Sequence, residues 1–260
     1  MRGAINSILQ LSDEEKKMGV TTHSSGNFAQ AVALSSKILN VKANIIMPNN
    51  APKVKKKAVV GYGAKVIDCE PTLKARESTA LNFVNKTGAT FLHPYNCYKV
   101  ISGNSTATIE LIEQVNELDA IFAPIGGGGL ISGTALASNY FSKVKTFGAE
   151  PKGADDAFRS FKSGKLVPMI NPKTIADGLR TSLGDKCFPI IKKYVNDIFT
   201  VEEQEIINAL RLVWERMKII IEPSCAVPLA AIIKNKHLFQ KKHIGIIITG
   251  GNVDLKTLPF

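Results

Sequence analysis

The chain has 260 residues, of which 45% are hydrophobic and 21% charged, a composition typical of a folded globular protein and not of a disordered one. Its apolar runs are too short to cross a membrane, its first residues do not resemble a secretory signal, and its cysteines lack metal-binding spacing, which predicts a cytoplasmic protein with reduced thiols. The net charge of +11 includes a cluster from Lys53 to Lys57, but no nucleic-acid-binding motif accompanies it, so we expect a solvated helix face and no nucleic-acid partner.

The first part of the chain alternates short β-branched strands with amphipathic helices, the pattern of an α/β protein with a mostly parallel sheet. We expect strands at residues 20–22, 43–47, 65–69 and 90–92, with helices at 28–39 and 72–85. Residues 19–96 are therefore predicted to form a small lobe, and residues 1–18 together with 97–260 a large lobe.

The second part repeats this alternation with more buried strands, predicted at residues 120–125, 146–150 and 244–248. A helix is predicted to begin at Thr200, because Thr200 and Glu203 have the spacing of a capping box. Apolar residues then recur at helical spacing, which indicates a face packed in the core and not a cofactor-binding motif. They are Ile206, Ile207, Leu210, Val213, Trp214 and Met217.

Four consecutive glycines, Gly126 to Gly129, separate a predicted strand from a predicted helix. Residues without a Cβ let backbone N–H groups approach an anion closely, and the helix N-terminus adds a partial positive charge. A phosphate is the ligand that suits this arrangement, although a tight crossover would also explain the glycines. The spacing is neither GxGxxG nor GxxxxGK[ST], which disfavours a Rossmann dinucleotide site and a P-loop.

Two further polar loops follow predicted strands, and ligands bind where loops leave the carboxyl ends of parallel strands. The loop at residues 23–27 reads His-Ser-Ser-Gly-Asn, a composition that helix capping alone would also explain. The loop at residues 249–254 reads Thr-Gly-Gly-Asn-Val-Asp, where a hydroxyl ends a buried strand and glycines open space beside it. The three loops together indicate a ligand site more strongly than any one of them.

Six motifs in a fixed order extend this pattern along the chain. They are Ser24-Ser25-Gly26-Asn27, Gly126–Gly129, Glu150-Pro151 with Ala154-Asp155-Asp156, Thr174-Ile175-Ala176-Asp177-Gly178, Glu222-Pro223-Ser224, and Gly250-Gly251-Asn252-Val253-Asp254. Their order and spacing resemble those of serine racemases and serine/threonine dehydratases. The resemblance covers essentially the whole chain and implies a two-lobed α/β fold of the tryptophan synthase β type, with twisted, mostly parallel sheets flanked by helices. It also implies fold-type II pyridoxal-phosphate chemistry: racemisation of serine, β-elimination to a 2-oxo acid and ammonia, threonine as a second candidate substrate, and a homodimer.

The resemblance implies that three parts of the chain bind the cofactor. The phosphate would be held by the glycine loop, which comprises Gly126, Gly127, Gly128, Gly129 and Leu130. Asn27 would hydrogen-bond the 3-hydroxyl of the ring, and Thr249 would contact the pyridine nitrogen. Because a neutral hydroxyl leaves that nitrogen largely unprotonated, the ring is a weaker electron sink, and loss of a β-hydroxyl is favoured over a long-lived carbanion.

The same resemblance assigns the substrate to the loop that follows the first strand. Backbone N–H groups of Ser24, Ser25, Gly26 and Asn27 would cradle the substrate carboxylate. The Ser25 hydroxyl would be the acid/base on the face opposite the family's lysine, which is the group that permits racemisation.

A divalent-cation site is implied at Glu150, the carbonyl of Ala154, and Asp156. Oxygen-only ligands suit Mg²⁺ or Ca²⁺, with water at the remaining positions. Without the resemblance, two carboxylates six residues apart are more often solvated or cap a helix.

Three features depart from the family pattern. Relatives carry the Schiff-base lysine in Ser-Phe-Lys-x-Arg-Gly-Ala, and this sequence, Met1-Arg2-Gly3-Ala4, enters that motif one residue after the lysine. The Schiff-base lysine is therefore absent, and we expect these 260 residues to be inactive. Phe28 stands where relatives usually have histidine. Ser105 stands where they have a glycine, which would strain a turn if its φ were positive.

Three alternative interpretations remain open on the sequence. In the first, the chain is a catalytically dead paralogue that either binds a phosphate-bearing ligand or serves as an inactive dimer partner. In the second, it is a truncated version of an active enzyme. A cysteine synthase is less consistent, since its asparagine loop usually reads Thr-Ser-Gly-Asn-Thr, unlike residues 24–28.

Overall fold

The structure, a computed structural model, describes residues 1–24, 26–51 and 53–260, apart from the side chain of Thr257. The described residues divide into two compact units, Met1–Gly103 and Asn104–Phe260. Each unit contains one four-stranded parallel sheet with helices around it. The predicted α/β class with parallel sheets flanked by helices is therefore confirmed. The lobe boundaries at residues 19 and 96 stay a prediction.

The sheet of the first unit has the strand order β3-β2-β1-β4. Its strands are β1 (Val20–His23), β2 (Ala43–Pro48), β3 (Lys65–Cys69) and β4 (Thr90–Phe91). The helices are α1 (Arg2–Leu9), α2 (Asp13–Met18), α3 (Asn27–Ile38), α4 (Lys53–Gly61) and α5 (Leu73–Thr87), and α6 (Tyr98–Gln114) contains the boundary of the unit. All four residues of β1 are buried, as expected for a central parallel strand covered by helices on both faces. Helix α1 packs on α3 by burying Ala4 and Ile8 in the same core.

The sheet of the second unit has the strand order β7-β6-β5-β8. Its strands are β5 (Ala120–Pro124), β6 (Lys145–Pro151), β7 (Asp197–Val201) and β8 (Ile244–Ile246). The helices are α7 (Gly129–Phe141), α8 (Asp156–Ser163), α9 (Cys187–Tyr194), α10 (Glu203–Met217) and α11 (Pro223–Lys234). Phe122 is fully buried in β5, with its ring centroid 5.1 Å from those of both Phe147 and Phe239. Burial of these rings fixes β5 in the middle of the sheet, where its carboxyl end faces the loops described below.

Two local predictions for the second unit were wrong. The capping box does not begin at Thr200, which lies in β7 and pairs in register with Glu150. The helix begins two residues later, with Glu202 as the N-cap and Glu205 as its reciprocal partner, while Glu203 instead accepts the backbone N–H of Ile175. Pairing with β6 extends the strand at the expense of the helix. The predicted core face of α10 is also shorter than expected, since Met217 is 61% exposed.

Two expectations for other parts of the chain also need correction. Ser105 lies inside α6 and is not among the residues with positive φ, so the predicted turn strain does not arise. The Lys53–Lys57 cluster lies on α4, but Lys55 is only 5% exposed, so this face is not solvated throughout. Among the described residues, no helix combines the length and apolarity needed to span a membrane.

Candidate cofactor and substrate site

Two of the predicted ligand loops lie side by side at one edge of the second sheet. Strands β5 and β8 are parallel neighbours, and the backbone N–H of Ile247 donates to the carbonyl of Phe122 (3.0 Å). Because parallel strands end at the same edge, the glycine loop after β5 and Thr249 after β8 emerge together. The sequence predicted both loops, but only the pairing of β5 with β8 makes them neighbours.

The glycine loop carries buried N–H groups without a hydrogen-bond partner in the described parts of the chain. They belong to Gly127, Gly128 and Gly129, all of which are buried. Gly128 is the N-cap of α7 and has φ of +89°, a left-handed conformation that side chains rarely adopt. Buried donors are almost always paired, so three unpaired donors at a helix N-terminus fit an anion such as phosphate.

A second strand-connecting segment packs tightly against this loop and explains its lack of side chains. A Cβ at Gly126 would lie 3.0 Å from the carbonyl oxygen of Gly178, and a Cβ at Gly128 would lie 2.6 Å from Leu183 Cδ1. In the same segment, the N–H of Gly184 donates to the carbonyl of Gly127 (3.1 Å). The loop is therefore held by contacts on one side, while its N–H groups remain available.

Thr249 is held in place by Cys225, for which the sequence predicted no role in the site. The Sγ atom of Cys225, in the first turn of α11, lies 2.9 Å from Thr249 Oγ1 and accepts the backbone N–H of Thr249 (2.9 Å). The neighbouring Ser224 Oγ accepts the N–H of Gly178 (3.2 Å), which is the residue packed against Gly126. The first turn of α11 thus links the glycine loop to Thr249 within one unit.

The third predicted loop lies in the first unit, at the carboxyl end of β1. The N–H of Ser24 donates to the carbonyl of Ile46 (3.1 Å), the N–H of Gly26 donates to Ser24 Oγ (3.2 Å), and Asn27 is the first residue of α3. Ser25 lies outside the described residues. Phe28 is partly buried and packs against the core of this unit, which gives this departure from the family pattern a packing role.

Two histidines lie at this loop: His23, which the sequence placed in the loop without a role, and His93, which the sequence did not single out. His23 ends β1, its ring centroid lies 6.0 Å from that of His93, and Nδ1 of His93 accepts the backbone N–H of Asn96 (3.0 Å). Burial, with smaller contributions from the nearby charges of His93 and Arg76, lowers the pKa of His23 to about 4. His23 is therefore neutral at physiological pH.

Glu150 and Asp156 are both fully buried in the second unit. Glu150 accepts the N–H groups of Ala157 (3.3 Å) and Phe158 (2.7 Å), and Asp156 Oδ2 accepts that of Leu183 (2.7 Å). Burial, and next the charge of Asp156, hold the pKa of Glu150 well above its usual range, and burial raises the pKa of Asp156 to about 6.

The side chains of Glu150 and Asp156 alone are too few to form a metal site. Asp156 Oδ1 is buried and has no hydrogen-bond partner in the described residues. Ala154, two residues earlier in the chain, is also buried. Across residues 1–24, 26–51 and 53–260, no group of three or more His, Cys, Asp and Glu side chains could hold a metal. Two buried carboxyl groups, one of which has an unpaired oxygen, nevertheless fit a cation that recruits a backbone carbonyl and water and favours their ionised forms.

Comparison with known proteins gives a consistent set of relatives. The family model described as "Pyridoxal-phosphate dependent enzyme" matches residues 1–250. The chain is 45% identical to the β-hydroxyaspartate dehydratase of Paracoccus denitrificans over 261 residues, covering 100% of this chain and 83% of that protein. It is 49% identical to the serine racemase of Dictyostelium discoideum over 263 residues, covering 99% of this chain and 81% of that protein. The structure of maize serine racemase superposes with a TM-score of 0.95 at 43% identity, covering 99% of this chain and 80% of that one.

Proposed function

We propose a function for this chain from its family, since it belongs to the pyridoxal-phosphate-dependent enzymes. The chain racemises serine, and it also eliminates the β-hydroxyl of serine to give a 2-oxo acid and ammonia. Threonine is the second candidate substrate. The observation that carries the proposal is the group of buried, unpaired N–H donors at Gly127–Gly129 beside Thr249 at one sheet edge. The proposal includes a homodimer in the cytoplasm. Light scattering of the purified protein tests the dimer.

The second unit would hold the phosphate and the ring nitrogen. The N–H groups of Gly127, Gly128 and Gly129 would donate to phosphate oxygens, and α7 adds the positive end of its dipole. Gly126 and Leu130 would complete the loop, and Thr249 would face the pyridine nitrogen. Bound pyridoxal phosphate supplies an electron sink that stabilises negative charge at the substrate's α-carbon. The neutral hydroxyl of Thr249 would donate a hydrogen bond to the ring nitrogen without protonating it, which would favour departure of the β-hydroxyl over a long-lived carbanion.

The first unit would bind the amino acid and move its protons. Asn27 is the first residue of α3 and Gly26 its N-cap, so the positive end of the helix would favour the substrate carboxylate there. The N–H groups of Ser24 and Gly26 already donate to the Ile46 carbonyl and to Ser24 Oγ, so Ser24 would contribute its hydroxyl. Asn27 would also contact the ring hydroxyl. The Ser25 hydroxyl would transfer a proton at the α-carbon on one face. The other face requires the family's lysine, which is not among these 260 residues.

A second substrate class is favoured by one observation in the first unit. Arg76, in the first turn of α5, has a buried Nε without a hydrogen-bond partner in the described residues, and its charge contributes to lowering the pKa of His23. Helix α5 follows β3, so its first turn lies at the carboxyl edge of the sheet, the edge that carries the Ser24–Asn27 loop. A guanidinium there could bind the β-carboxylate of 3-hydroxyaspartate, a substrate named for the Paracoccus relative.

We therefore expect Arg76→Gln to lower kcat/KM for 3-hydroxyaspartate about ten- to hundredfold relative to serine, since a charge-assisted hydrogen bond contributes about 1.5–3 kcal/mol. The measurement uses protein that carries the family's lysine segment, with serine, threonine and 3-hydroxyaspartate in parallel. Arg211→Gln is the matched control, because Arg211 forms an exposed ion pair with Glu215. Equal losses for serine and 3-hydroxyaspartate in Arg76→Gln would contradict a role for Arg76 in substrate selection.

We also propose that Glu150, the Ala154 carbonyl and Asp156 bind Mg²⁺ or Ca²⁺. A bound cation would pair the unpartnered Asp156 Oδ1 and offset the repulsion between the two buried carboxylates. The cation would join the end of β6 to the start of α8 and so stabilise the second unit. Its role would be structural, with no part in the chemical step.

The metal proposal predicts a cation-dependent melting temperature. At a concentration about 100-fold above Kd, binding should add about 2.7 kcal/mol and raise Tm by roughly 5–10 °C over protein in EDTA. Asp156→Asn should remove this increase. Asp155→Asn should keep it, because Asp155 bonds Arg159 and is not a proposed ligand. An unchanged response in Asp156→Asn would show that the cation does not bind there.

A further inference from the structure

Cys225 makes four polar contacts with Thr249 and Gly250, two residues in the loop that follows β8. Its side chain is buried in the first turn of α11, with 1% exposed. The sulfur accepts the N–H groups of Thr249 (2.9 Å) and Gly250 (3.0 Å), lies 2.9 Å from Thr249 Oγ1, and is within reach of the Gly250 carbonyl (3.1 Å). A cysteine that only filled core space would require none of these contacts.

The number of protons on the thiol limits how these contacts can form. Burial raises the pKa of Cys225, so the group is a thiol with one proton at neutral pH. Both backbone N–H groups point at the sulfur, which leaves its S–H to donate to Thr249 Oγ1 or to the Gly250 carbonyl. When the S–H donates to Thr249, the hydroxyl proton of Thr249 must point away from the sulfur. When the S–H donates to the Gly250 carbonyl, the Thr249 hydroxyl can donate to the sulfur instead. An unprotonated ring nitrogen only accepts, so its binding selects the first arrangement.

We propose that Cys225 is a positioning residue that directs the Thr249 hydroxyl, as a hydrogen-bond donor, toward the pyridine nitrogen of bound pyridoxal phosphate. The inference rests on the proposed function, because it requires Thr249 to face that nitrogen. Cys225 does not touch the reacting atoms. It holds the backbone of Thr249 and Gly250 in place and removes the rotational freedom of one hydroxyl, so that less ordering is needed when the ring binds.

The test uses pyridoxine 5′-phosphate, which carries the ring and the phosphate but no aldehyde and so cannot bond to a lysine. Its Kd is measured by calorimetry for the wild type, Cys225→Ser, Cys225→Ala, Thr249→Val, and the double variant Cys225→Ala with Thr249→Val. Cys225→Ala should weaken binding roughly two- to tenfold, the range for one net hydrogen bond. Cys225→Ser should restore wild-type affinity, because a hydroxyl can make the same donor and acceptor contacts.

Two further measurements separate positioning from packing. In the Thr249→Val background, Cys225→Ala should have no additional effect on Kd, because the route through the hydroxyl is already gone. In Cys225→Ala alone, the ultraviolet titration of the bound ring nitrogen should move toward that of the free ligand. Affinity for inorganic phosphate, which uses only the glycine loop, should be equal in all variants.

Three results would overturn the inference. Additive losses in the double variant would mean that Cys225 acts by packing alone. Unchanged binding in Cys225→Ala beside weakened binding in Thr249→Val would refute positioning while leaving the proposed function intact. Failure of the wild type to bind pyridoxine 5′-phosphate would remove both the proposed function and this inference.

Discussion

Serine should be converted to pyruvate and D-serine when these 260 residues are preceded by a relative's N-terminal segment that ends in Ser-Phe-Lys directly before Met1, so that Met1 takes the variable position of the motif. A polypeptide of the 260 residues alone should show almost no turnover, because the lysine provides the covalent attachment of the cofactor and a base at the α-carbon. General acid–base catalysis alone contributes about 10²–10⁴-fold. The extended protein should therefore reach rates typical of enzymes, about 1–10³ s⁻¹.

The matched control replaces the added lysine with alanine in an otherwise identical protein. That variant should return to the rate of the 260 residues alone while keeping the melting temperature of the extended protein. Turnover at enzyme rates by the 260 residues without the segment would mean that another group performs the lysine's role.

An extended protein that binds cofactor but does not turn over serine would direct attention to Phe28. The other departure, Ser105, lies in a regular helix without positive φ and gives no reason for inactivity. Phe28→His in the extended protein separates the two cases. Restored turnover would assign the defect to Phe28, and continued inactivity would support the dead-paralogue interpretation.

Gly128→Asp should weaken binding of pyridoxine 5′-phosphate by at least about a hundredfold. A carboxylate about 4 Å from a phosphate costs about 4 kcal/mol at an effective dielectric of ~20. The new side chain would also be strained at φ of +89° and would overlap Leu183 and Cys187. Calorimetric titration measures the loss, and circular dichroism shows whether the protein remains folded.

Gly164→Asp is the control for strain without contact with the ligand. Gly164 also has a left-handed φ, +71°, at the end of α8, and a Cβ there would meet only the flexible end of Lys192. The variant should lose about 1 kcal/mol of stability and bind pyridoxine 5′-phosphate as the wild type does. Equal binding by Gly128→Asp and wild type would place the phosphate elsewhere.

The sequence predicted the four strands of the first sheet and three of the second, because apolar, β-branched runs ended by proline or glycine are a local signal. It missed β7 (Asp197–Val201), where Thr200 was assigned to the start of a helix. The predicted strand at residues 65–69 agrees with β3 (Lys65–Cys69) at both ends. The capping box at Thr200 failed because a non-local interaction, the pairing of Thr200 with Glu150, prevailed over a local capping preference. Ser105 was misjudged for a related reason, since a four-residue motif does not reveal that its backbone is helical.

The parts of the site missed by the sequence depend on contacts between distant residues. Cys225 has no motif of its own and gains its place only when the first turn of α11 packs against Thr249, 24 residues further along the chain. The unpaired Asp156 Oδ1 likewise becomes visible only once burial is known. Arg76 was overlooked because one arginine in an amphipathic helix resembles any solvated charge. The signal that distinguishes Arg76 is its position in the first turn of the helix that follows β3.

A crystal structure of the lysine-complete protein with pyridoxal phosphate would show which residues hold the phosphate and the ring nitrogen. Density for the phosphate should lie on the N–H groups of Gly127, Gly128 and Gly129, and the ring nitrogen should lie about 2.6–3.2 Å from Thr249 Oγ1. Phosphate density elsewhere, for example beside the exposed lysines Lys143, Lys145 and Lys193, or a carboxylate at the ring nitrogen in place of Thr249, would contradict the account.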